Sequence, residues 1–474
     1  MSRAFGKDLT VGSIPKTLIH FAIPIFLGNI LSSGYSIINT IWVGHLLGGR
    51  AVAAVALTFP VVLLMVAVCS GLTVASSVLV GQHFGAKQND RIQDVVNVSW
   101  SIAVALCLAI TVAGVFGTPS ILRLMGTPPE VMDLATSYLR LVFASFTFMY
   151  MSFLVVSTLR AIGNTKVPLL FVVLGTALNA ILDPLLISGA GPVPALGLNG
   201  AALASLISGG VAIVTGFAYL RAKYRQSPLY PRRFVLDRAL VGRLIKIGFP
   251  SFVQQSLLSL AIAFMTTLVN GFGATATAAF GIAGRIDMLV VLPAMAVMVA
   301  VSSVTAQNLG ANKPERIKEV FHWGLLINIP AIFAVAMVCL LAPAGVMRLF
   351  VREPEIIRIG VQYLKIMGVG YLFLIPPYVS NGIIVGSGKT TVTMLMSFVS
   401  LCVVRVPLAT WLSHTGLGLT GVWIGTACSF PVNAILGYLY YRSGKWKSSL
   451  TSRGASKAGS GEDVAVLRSE EAAA

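Results

Sequence analysis

The chain has 474 residues, of which 56% are hydrophobic and 11% are charged, and its formal net charge is +18. Soluble domains carry about 25% charged residues, so this composition excludes an ordinary soluble protein and indicates a membrane protein. The positive charge does not indicate nucleic-acid binding, because lysine and arginine concentrate in alternate loops, as the positive-inside rule describes.

In chain order, twelve apolar runs are long enough to cross a bilayer, which takes about 20 residues for a helix. These runs are continuous and lack the dyad alternation of barrel strands, so they predict helices. No histidine or cysteine spacing indicates a metal site. The predicted spans are residues 17–43, 51–80, 95–117, 135–158, 166–187, 197–220, 243–270, 276–306, 321–343, 361–384, 391–412 and 419–442.

The longest polar segment inside the chain is basic and divides the spans into two sets of six. This division predicts an N-terminal six-helix lobe over residues 1–225, a cytoplasmic basic linker over 226–242 and a C-terminal lobe over 243–445. The Ser/Gly/Ala-rich residues 446–474 are predicted to form a disordered cytoplasmic tail. Because the number of spans is even and the basic loops lie on one side, both termini are predicted to be cytoplasmic.

The two halves contain near copies of one segment. Residues 80–95 read VGQHFGAKQNDRIQDV, and residues 305–320, an offset of 225, read TAQNLGANKPERIKEV. A fixed offset of about half the chain indicates a duplicated fold. Because each half has six spans, the repeats are parallel, an arrangement that is typical of transporters.

Only two acidic residues lie deep within predicted spans, and intramembrane charge usually marks function. Asp183 lies in the fifth span and Asp287 in the eighth. Asn179 precedes Asp183 by one turn, and Pro184 frees a backbone carbonyl nearby. Carboxylate, amide and carbonyl oxygens together predict a proton or cation site, although a hydrogen-bonded acid at a helix bend would show the same pattern.

Three further polar residues are candidates for this coupling site. Tyr35 and Asn39 are spaced i, i+4 in the first span and therefore share a helix face. Ser205 lies in the small-residue segment GLNGAALAS of the sixth span. Polar and small residues at these spacings also occur where helices simply pack against each other.

Aromatic and methionine side chains in the spans are candidates for an adaptable substrate cavity, and core packing explains them equally well. The cavity residues proposed on this basis are Phe146, Tyr150, Met151, Met265 and Met288, and the charged residues Asp287 and Arg285 of the eighth span are added to them as further cavity candidates.

Several segments together resemble the multidrug and toxic compound extrusion (MATE) family, and in particular its DinF-like bacterial branch. They are VGQHFGAK, LRAIGNTKVP, NAILDPLL with the following GLNGAALAS, and GRIDMLVVLPA. The resemblance covers about residues 10–445. It implies an all-α integral membrane fold of twelve transmembrane helices, in two parallel six-helix repeats that form a V-shaped, two-lobed molecule.

The resemblance also assigns residues. Asp183 and Asn179 match the cation-site pair of the N-terminal lobe, and Tyr35 matches the tyrosine of the first span. Asn39 stands where many members have aspartate, which removes one of two carboxylates. The seventh span has Gln254 and Gln255 but no glutamate, so the acidic C-lobe site of another branch is absent.

The function implied is that of a secondary active efflux antiporter, not an enzyme, in the bacterial inner membrane. It would export amphipathic, often cationic drugs or toxic metabolites by alternating access, in exchange for H⁺ or Na⁺. We expect no cofactor beyond the coupling ion, contact with membrane lipid, no nucleic-acid partner and a monomer. The alternative is a flippase for a lipid-linked saccharide, for which several cavity arginines would be expected.

Overall fold

The computed structural model describes residues 6–189, 194–225 and 227–447, and this part of the chain is helical with short connections. Within these described ranges, twelve helical spans are long and apolar enough to cross a membrane, which confirms the predicted number. The N-terminal six helices are α1 Ile14–Leu47, α2 Gly49–Gly85, α3 Asn89–Leu124, α4 Pro129–Ala161, α5 Lys166–Ser188 and α6 Leu198–Tyr224. The remaining helices are α7 Arg238–Asn270, α8 Ala274–Gly310, α9 Arg316–Leu341, α10 Pro343–Arg348, α11 Pro354–Tyr371, α12 Ile375–Gly386, α13 Thr390–Phe398, α14 Val406–Ser413 and α15 Gly418–Arg442.

Local sequence explains where these helices begin and end. Asp237 caps α7, since its carboxylate accepts hydrogen bonds from the backbone N–H groups of Ala239 at 2.7 Å and Leu240 at 3.0 Å. Gly48 separates α1 from α2 with φ of 76°, a left-handed conformation that glycine adopts without steric cost. Pro24 lies inside α1 and Pro250 inside α7, where each removes one backbone hydrogen bond.

The tenth and eleventh spans are not regular α-helices. A 3₁₀ turn at Leu372–Leu374 joins α11 to α12, directly before the prolines that follow Ile375. A π-helical segment, Val399–Arg405, joins α13 to α14 and ends before Pro407. Such π segments often occur at functional sites, and this one ends at a membrane-embedded arginine.

Among the described residues, the buried hydrophobic side chains form three clusters, one more than the number of halves. One cluster lies in the N-terminal half and a second in the C-terminal half. The third joins the beginning of α1, including Leu18 and Phe21, to Val301 of α8 and Ile317 of α9. The first helix therefore packs against both halves of the molecule.

Both ends of the chain pack against the helices where the structure describes them, and at the C-terminal end this differs from the predicted tail. Leu9 is only 1% exposed and belongs to the third cluster, because its side chain finds an apolar site between the halves. Trp446 was assigned to the disordered tail, but its ring stacks on Tyr441 with centroids 5.7 Å apart. Its indole N–H also donates to the Tyr441 carbonyl oxygen at 2.7 Å. The rest of the predicted tail, residues 448–474, lies outside the described residues.

Candidate functional site

The structure brings Asp183 of α5 together with two polar residues of α1. Asp183 is fully buried, and its Oδ2 accepts hydrogen bonds from the Tyr35 hydroxyl at 2.7 Å and from Asn39 Nδ2 at 2.6 Å. Asn39 Nδ2 also lies 3.3 Å from the Tyr35 hydroxyl oxygen. The i, i+4 spacing on α1 therefore places two donors at one carboxylate oxygen.

The other carboxylate oxygen is different. Asp183 Oδ1 is buried without a hydrogen-bond partner among the described residues, and so is Oδ1 of Asn179, one turn earlier on α5. Buried polar atoms nearly always have a partner, so two unpartnered acceptors on one helix need an explanation. The carboxylate oxygen can accept a proton, and both oxygens are of the kind that coordinates a hard cation such as Na⁺.

The proline that follows Asp183 contributes to this local polarity. Pro184 has no N–H, so the carbonyl four residues earlier, that of Ala180, has no intrahelical donor there. Ser205, the fifth predicted coupling residue, lies on α6 with an exposed side chain. No recorded hydrogen bond among the described residues joins Ser205 to Asp183, so the structure does not place it in this cluster.

The residues proposed for the substrate cavity do not form one surface. Phe146 and Tyr150 stack on each other with ring centroids 5.7 Å apart, and both belong to the core of the N-terminal half together with Met151. Met265 is 3% exposed in the core of the C-terminal half. Their apolar contacts are satisfied inside each half, which favours the packing interpretation in this conformation. Arg285 and Met288 lie on the exposed surface of α8.

Asp287 is the centre of a second polar cluster, in the C-terminal half. Its Oδ2 accepts a hydrogen bond from the Tyr363 hydroxyl at 2.5 Å, and its Oδ1 accepts one from the Tyr371 hydroxyl. Both carboxylate oxygens therefore have a donor. The two tyrosines lie on α11, and their role was missed because they meet Asp287 only through the packing of α8 against α11.

Arg405 is a further charged residue within a membrane span, the one predicted over residues 391–412. Its Nε donates to the Ser429 hydroxyl at 2.9 Å, and its guanidinium lies 5.3 Å from the ring centroid of Phe430. Both partners are on α15, so the π-helical segment that ends at Arg405 directs this side chain into the C-terminal half.

The duplicated segments meet each other across the two halves. Gln82 Nε2 donates to the carbonyl oxygen of Gly386 at 3.0 Å, and Gln307 Nε2 donates to that of Ala161 at 2.8 Å. Each donor and acceptor in the first bond is related to its counterpart in the second by the offset of 225. We call this reciprocal pair of hydrogen bonds the glutamine latch and the end of the molecule where it lies the latch end.

Two glycines make this approach possible. A Cβ atom on Gly85 would collide with the backbone carbonyl of Gln307, and a Cβ on Gly310 would collide with that of Gln82. The ends of α2 and α8 therefore touch backbone to backbone. Farther along α2, Gly71 and Gly248 approach in the same way, so that a Cβ on Gly71 would lie 2.8 Å from the Gly248 oxygen.

Residues 6–12, here called the N-terminal strap, lie across the latch end. The Lys7 N–H donates to the Ile162 carbonyl at 2.8 Å in the N-terminal half. The Leu9 N–H donates to Gln307 Oε1 at 2.9 Å in the other half. The Arg316 guanidinium donates to the Gly12 carbonyl at 2.8 Å. The strap thus joins both halves through its backbone, which hydrophobic patterning does not predict.

The N-terminal strap also holds a carboxylate in its charged form. Partial burial acts to raise the pKa of Asp8, but hydrogen bonds from the Thr10 hydroxyl and N–H and the charges of Lys313 and Lys87 outweigh it. The pKa of Asp8 is therefore below its ordinary value. The contribution of the Asp8 carboxylate to stability is present above the ordinary pKa and is lost as the pH falls through the lowered one.

Comparisons with known proteins agree on one family. The MatE family model matches twice, at residues 24–185 and 250–411, so each half contains one copy. The chain is 32% identical to the probable multidrug resistance protein YoeA of Bacillus subtilis, over 93% of this chain and 96% of that protein. It is 30% identical to the probable multidrug resistance protein YpnP of the same organism, over 93% and 98%.

The fold agrees with solved structures as well. One is a multidrug resistance MATE family transporter of the MOP superfamily in an outward-facing conformation. The TM-score is 0.86 at 27% identity, over 94% of this chain and 98% of that one. The family model matches both halves, the relatives are similar over nearly their whole length, and the described residues contain twelve spans. This multi-pass membrane protein therefore belongs to the MatE family of transporters.

Proposed function

We propose that the protein is a secondary active exporter that moves amphipathic, cationic compounds out of the cell in exchange for H⁺ or Na⁺. The observation that carries this proposal is a pair of oxygens inside a membrane-spanning helix, Asp183 Oδ1 and Asn179 Oδ1, that are buried and have no partner in the part of the chain that the structure describes. The names of the relatives, which are probable multidrug resistance proteins, support export of drugs.

The coupling ion acts at Asp183. Tyr35 and Asn39 donate to Oδ2 and stabilise the charged carboxylate, while Oδ1 accepts the proton or contributes to a Na⁺ site. The same hydrogen bonds join α1 to α5, so the occupancy of the site changes how strongly the two helices are held together. An ion that binds one conformation better than another shifts the population between them.

Alternating access requires the two halves to separate at one end and close at the other. The glutamine latch holds the latch end closed in this structure. Opening that end breaks both latch bonds and the bonds that the N-terminal strap makes to each half. Pro24 lies in α1 between the strap and the Asp183 cluster, where a weakened helix can bend.

We place the protein in a bacterial inner membrane with both termini in the cytoplasm. The distribution of lysine and arginine supports this orientation, because the latch end carries Lys87, Arg91, Lys313 and Arg316. The closed latch end is then the cytoplasmic one.

Proton- or sodium-driven efflux of ethidium from reconstituted vesicles tests the proposal. We expect wild-type protein to move the dye under one of the two gradients, which identifies the ion, and Asp183→Asn to lose gradient-driven efflux. Glu130→Gln is a matched control, since this exposed carboxylate lies at the start of α4. Equal efflux by wild type and Asp183→Asn would show that coupling does not depend on Asp183.

The alternative, a flippase for lipid-linked saccharides, gains no specific support. Within the described residues Arg405 is engaged with Ser429 and Phe430, and Arg285 is exposed on α8. Neither arrangement forms the arginine-lined cavity that an anionic lipid-linked substrate would need.

A further inference from the structure

A basic cavity lies on the N-terminal half at the latch end, away from Asp183. It has a volume of about 570 Å³ and is bounded by the strap, the first turns of α1, the loop before α5 and the last turn of α6. Ligand sites typically have volumes of about 300–1,000 Å³. The cationic side chains that line the cavity are Lys7, Lys166 and Lys223, and His20 lines it as well.

The three lysines come from three separate parts of the chain, and within the described residues none of them has a carboxylate partner. Lys223 Nζ lies 5.6 Å from the ring centroid of Tyr219. The two ion pairs within the described residues are Arg91 with Asp94 and Arg358 with Glu355, and neither pair lines the cavity. Asp8 adjoins Lys7 in sequence, but its carboxylate accepts hydrogen bonds from Thr10. Like charges in proximity repel each other, so an anion in the cavity would lower the electrostatic energy.

The positive field extends beyond this cavity. A second, more open depression of about 630 Å³ shares Ala222 and Lys223 with it and adds Arg221 and Arg225. Both arginines are exposed at the end of α6. Lysine point charges bind phosphate groups, and arginine adds bidentate hydrogen bonding to the same anion.

The surroundings favour a lipid as the source of that phosphate. On α1, Ile19 and Ile23 are 40% and 51% exposed within two turns of the cavity residue Thr17. On α5, Leu170 is 63% exposed one turn after Lys166. Exposed apolar side chains on membrane helices face acyl chains, so the cavity lies where phospholipid headgroups lie. Basic residues at this level attract anionic lipids.

We propose that this cavity binds the phosphate group of an anionic phospholipid headgroup, held by Lys7, Lys166 and Lys223. The bound lipid would join the strap, the loop before α5 and the end of α6, and would thereby stabilise the closed latch end. This site is separate from the Asp183 cluster, and its test does not depend on transport.

The test measures thermal unfolding of the full-length protein in detergent. The ligands are short-chain phosphatidylglycerol, the zwitterionic phosphatidylcholine of the same chain length, and inorganic phosphate at matched ionic strength. We expect phosphatidylglycerol alone to raise the melting temperature of wild type in a saturable way. In the triple variant Lys7→Gln, Lys166→Gln, Lys223→Gln, the apparent affinity should be weaker by roughly tenfold or more, because three charge-assisted contacts are lost.

A second triple variant, Arg238→Gln, Arg243→Gln, Lys246→Gln, makes the same change in charge at the start of α7, outside both depressions. It should respond to phosphatidylglycerol as wild type does. If the cavity variant is poorly folded, replacing the three lysines by arginine keeps the charge and should keep the response. An equal response of all variants, or an equal effect of phosphatidylcholine, would overturn the proposal. An effect of inorganic phosphate equal to that of the lipid would overturn the lipid as the source.

Discussion

Asp183 and Asp287 are both aspartates in membrane-spanning helices, but their hydrogen bonding differs. Both oxygens of Asp287 accept a tyrosine hydroxyl, whereas one oxygen of Asp183 has no partner among the described residues. A carboxylate with both oxygens satisfied stabilises the packing of its neighbours. A carboxylate with a free oxygen is available to an ion.

This difference predicts effects of different size on stability when each aspartate is replaced by asparagine. Asp287→Asn leaves one tyrosine hydroxyl without its acceptor, which should lower the free energy of unfolding by about 1–3 kcal/mol. Asp183→Asn keeps an acceptor oxygen for Tyr35 and should change stability by less than about 1 kcal/mol. Thermal melting of the two variants in the same detergent compares them. A larger loss for Asp183→Asn would contradict the division of roles.

Asn39 offers a test of the number of ions moved. Asn39→Asp places a second carboxylate beside Asp183, where two negative charges strongly disfavour each other, so the pair should hold one additional cation or proton. We expect more ions per exported substrate, measured as the ion gradient that just balances a fixed dye gradient. Asn39→Leu, similar in size but uncharged, should not raise that number. An unchanged balance point in Asn39→Asp would show that Asn39 is not part of the coupling site.

At the scale of helices, the ends of α2 and α8 decide whether the latch end can close. Gly85→Ala and Gly310→Ala each place a methyl group against a backbone carbonyl of the other half. We expect these variants to favour an open latch end, although alanine is the better helix former by about 1 kcal/mol. Spin labels at Asp90→Cys and Glu315→Cys, at equivalent positions in the two repeats, should report longer distances.

The control is Gly210→Ala in α6, where no atom lies within 4 Å of the added Cβ. It should leave the label distances unchanged. Unaltered distances in both Gly85→Ala and Gly310→Ala would mean that the backbone contact does not hold this end closed.

The sequence was sufficient for the spans and the repeat, because each depends on local patterns. Tyr35 and Asn39 were predictable from their i, i+4 spacing, and Asp183 from its apolar surroundings. Tyr363 and Tyr371 were not recognised, because their bonds to Asp287 depend on how α11 packs against α8. Leu9 in the strap bonds to Gln307, which is 298 residues away in the sequence, and a local pattern does not predict a contact over that separation. Ser205 stays a prediction: its side chain is exposed on α6, and a small-residue segment does not specify which helix face is buried.

At the scale of the whole molecule, we infer that helix α1 links ion binding at Asp183 to opening at the latch end. The N-terminal strap and the beginning of α1 pack against both halves, and α1 also carries Tyr35 and Asn39. A change at the Asp183 cluster therefore acts on the helix that joins the halves. The hydrogen bonds at Asp183 and those of the glutamine latch should then form and break together.

The most direct measurement is the distance between the labels at positions 90 and 315, with the five native cysteines replaced by serine or alanine. The distribution would be recorded at low and high concentrations of H⁺ and then of Na⁺. We expect the wild type to change its balance of short and long distances with one of these ions, Glu130→Gln to follow it, and Asp183→Asn to keep one distribution throughout. An ion-dependent shift in Asp183→Asn equal to that of the wild type would contradict the account.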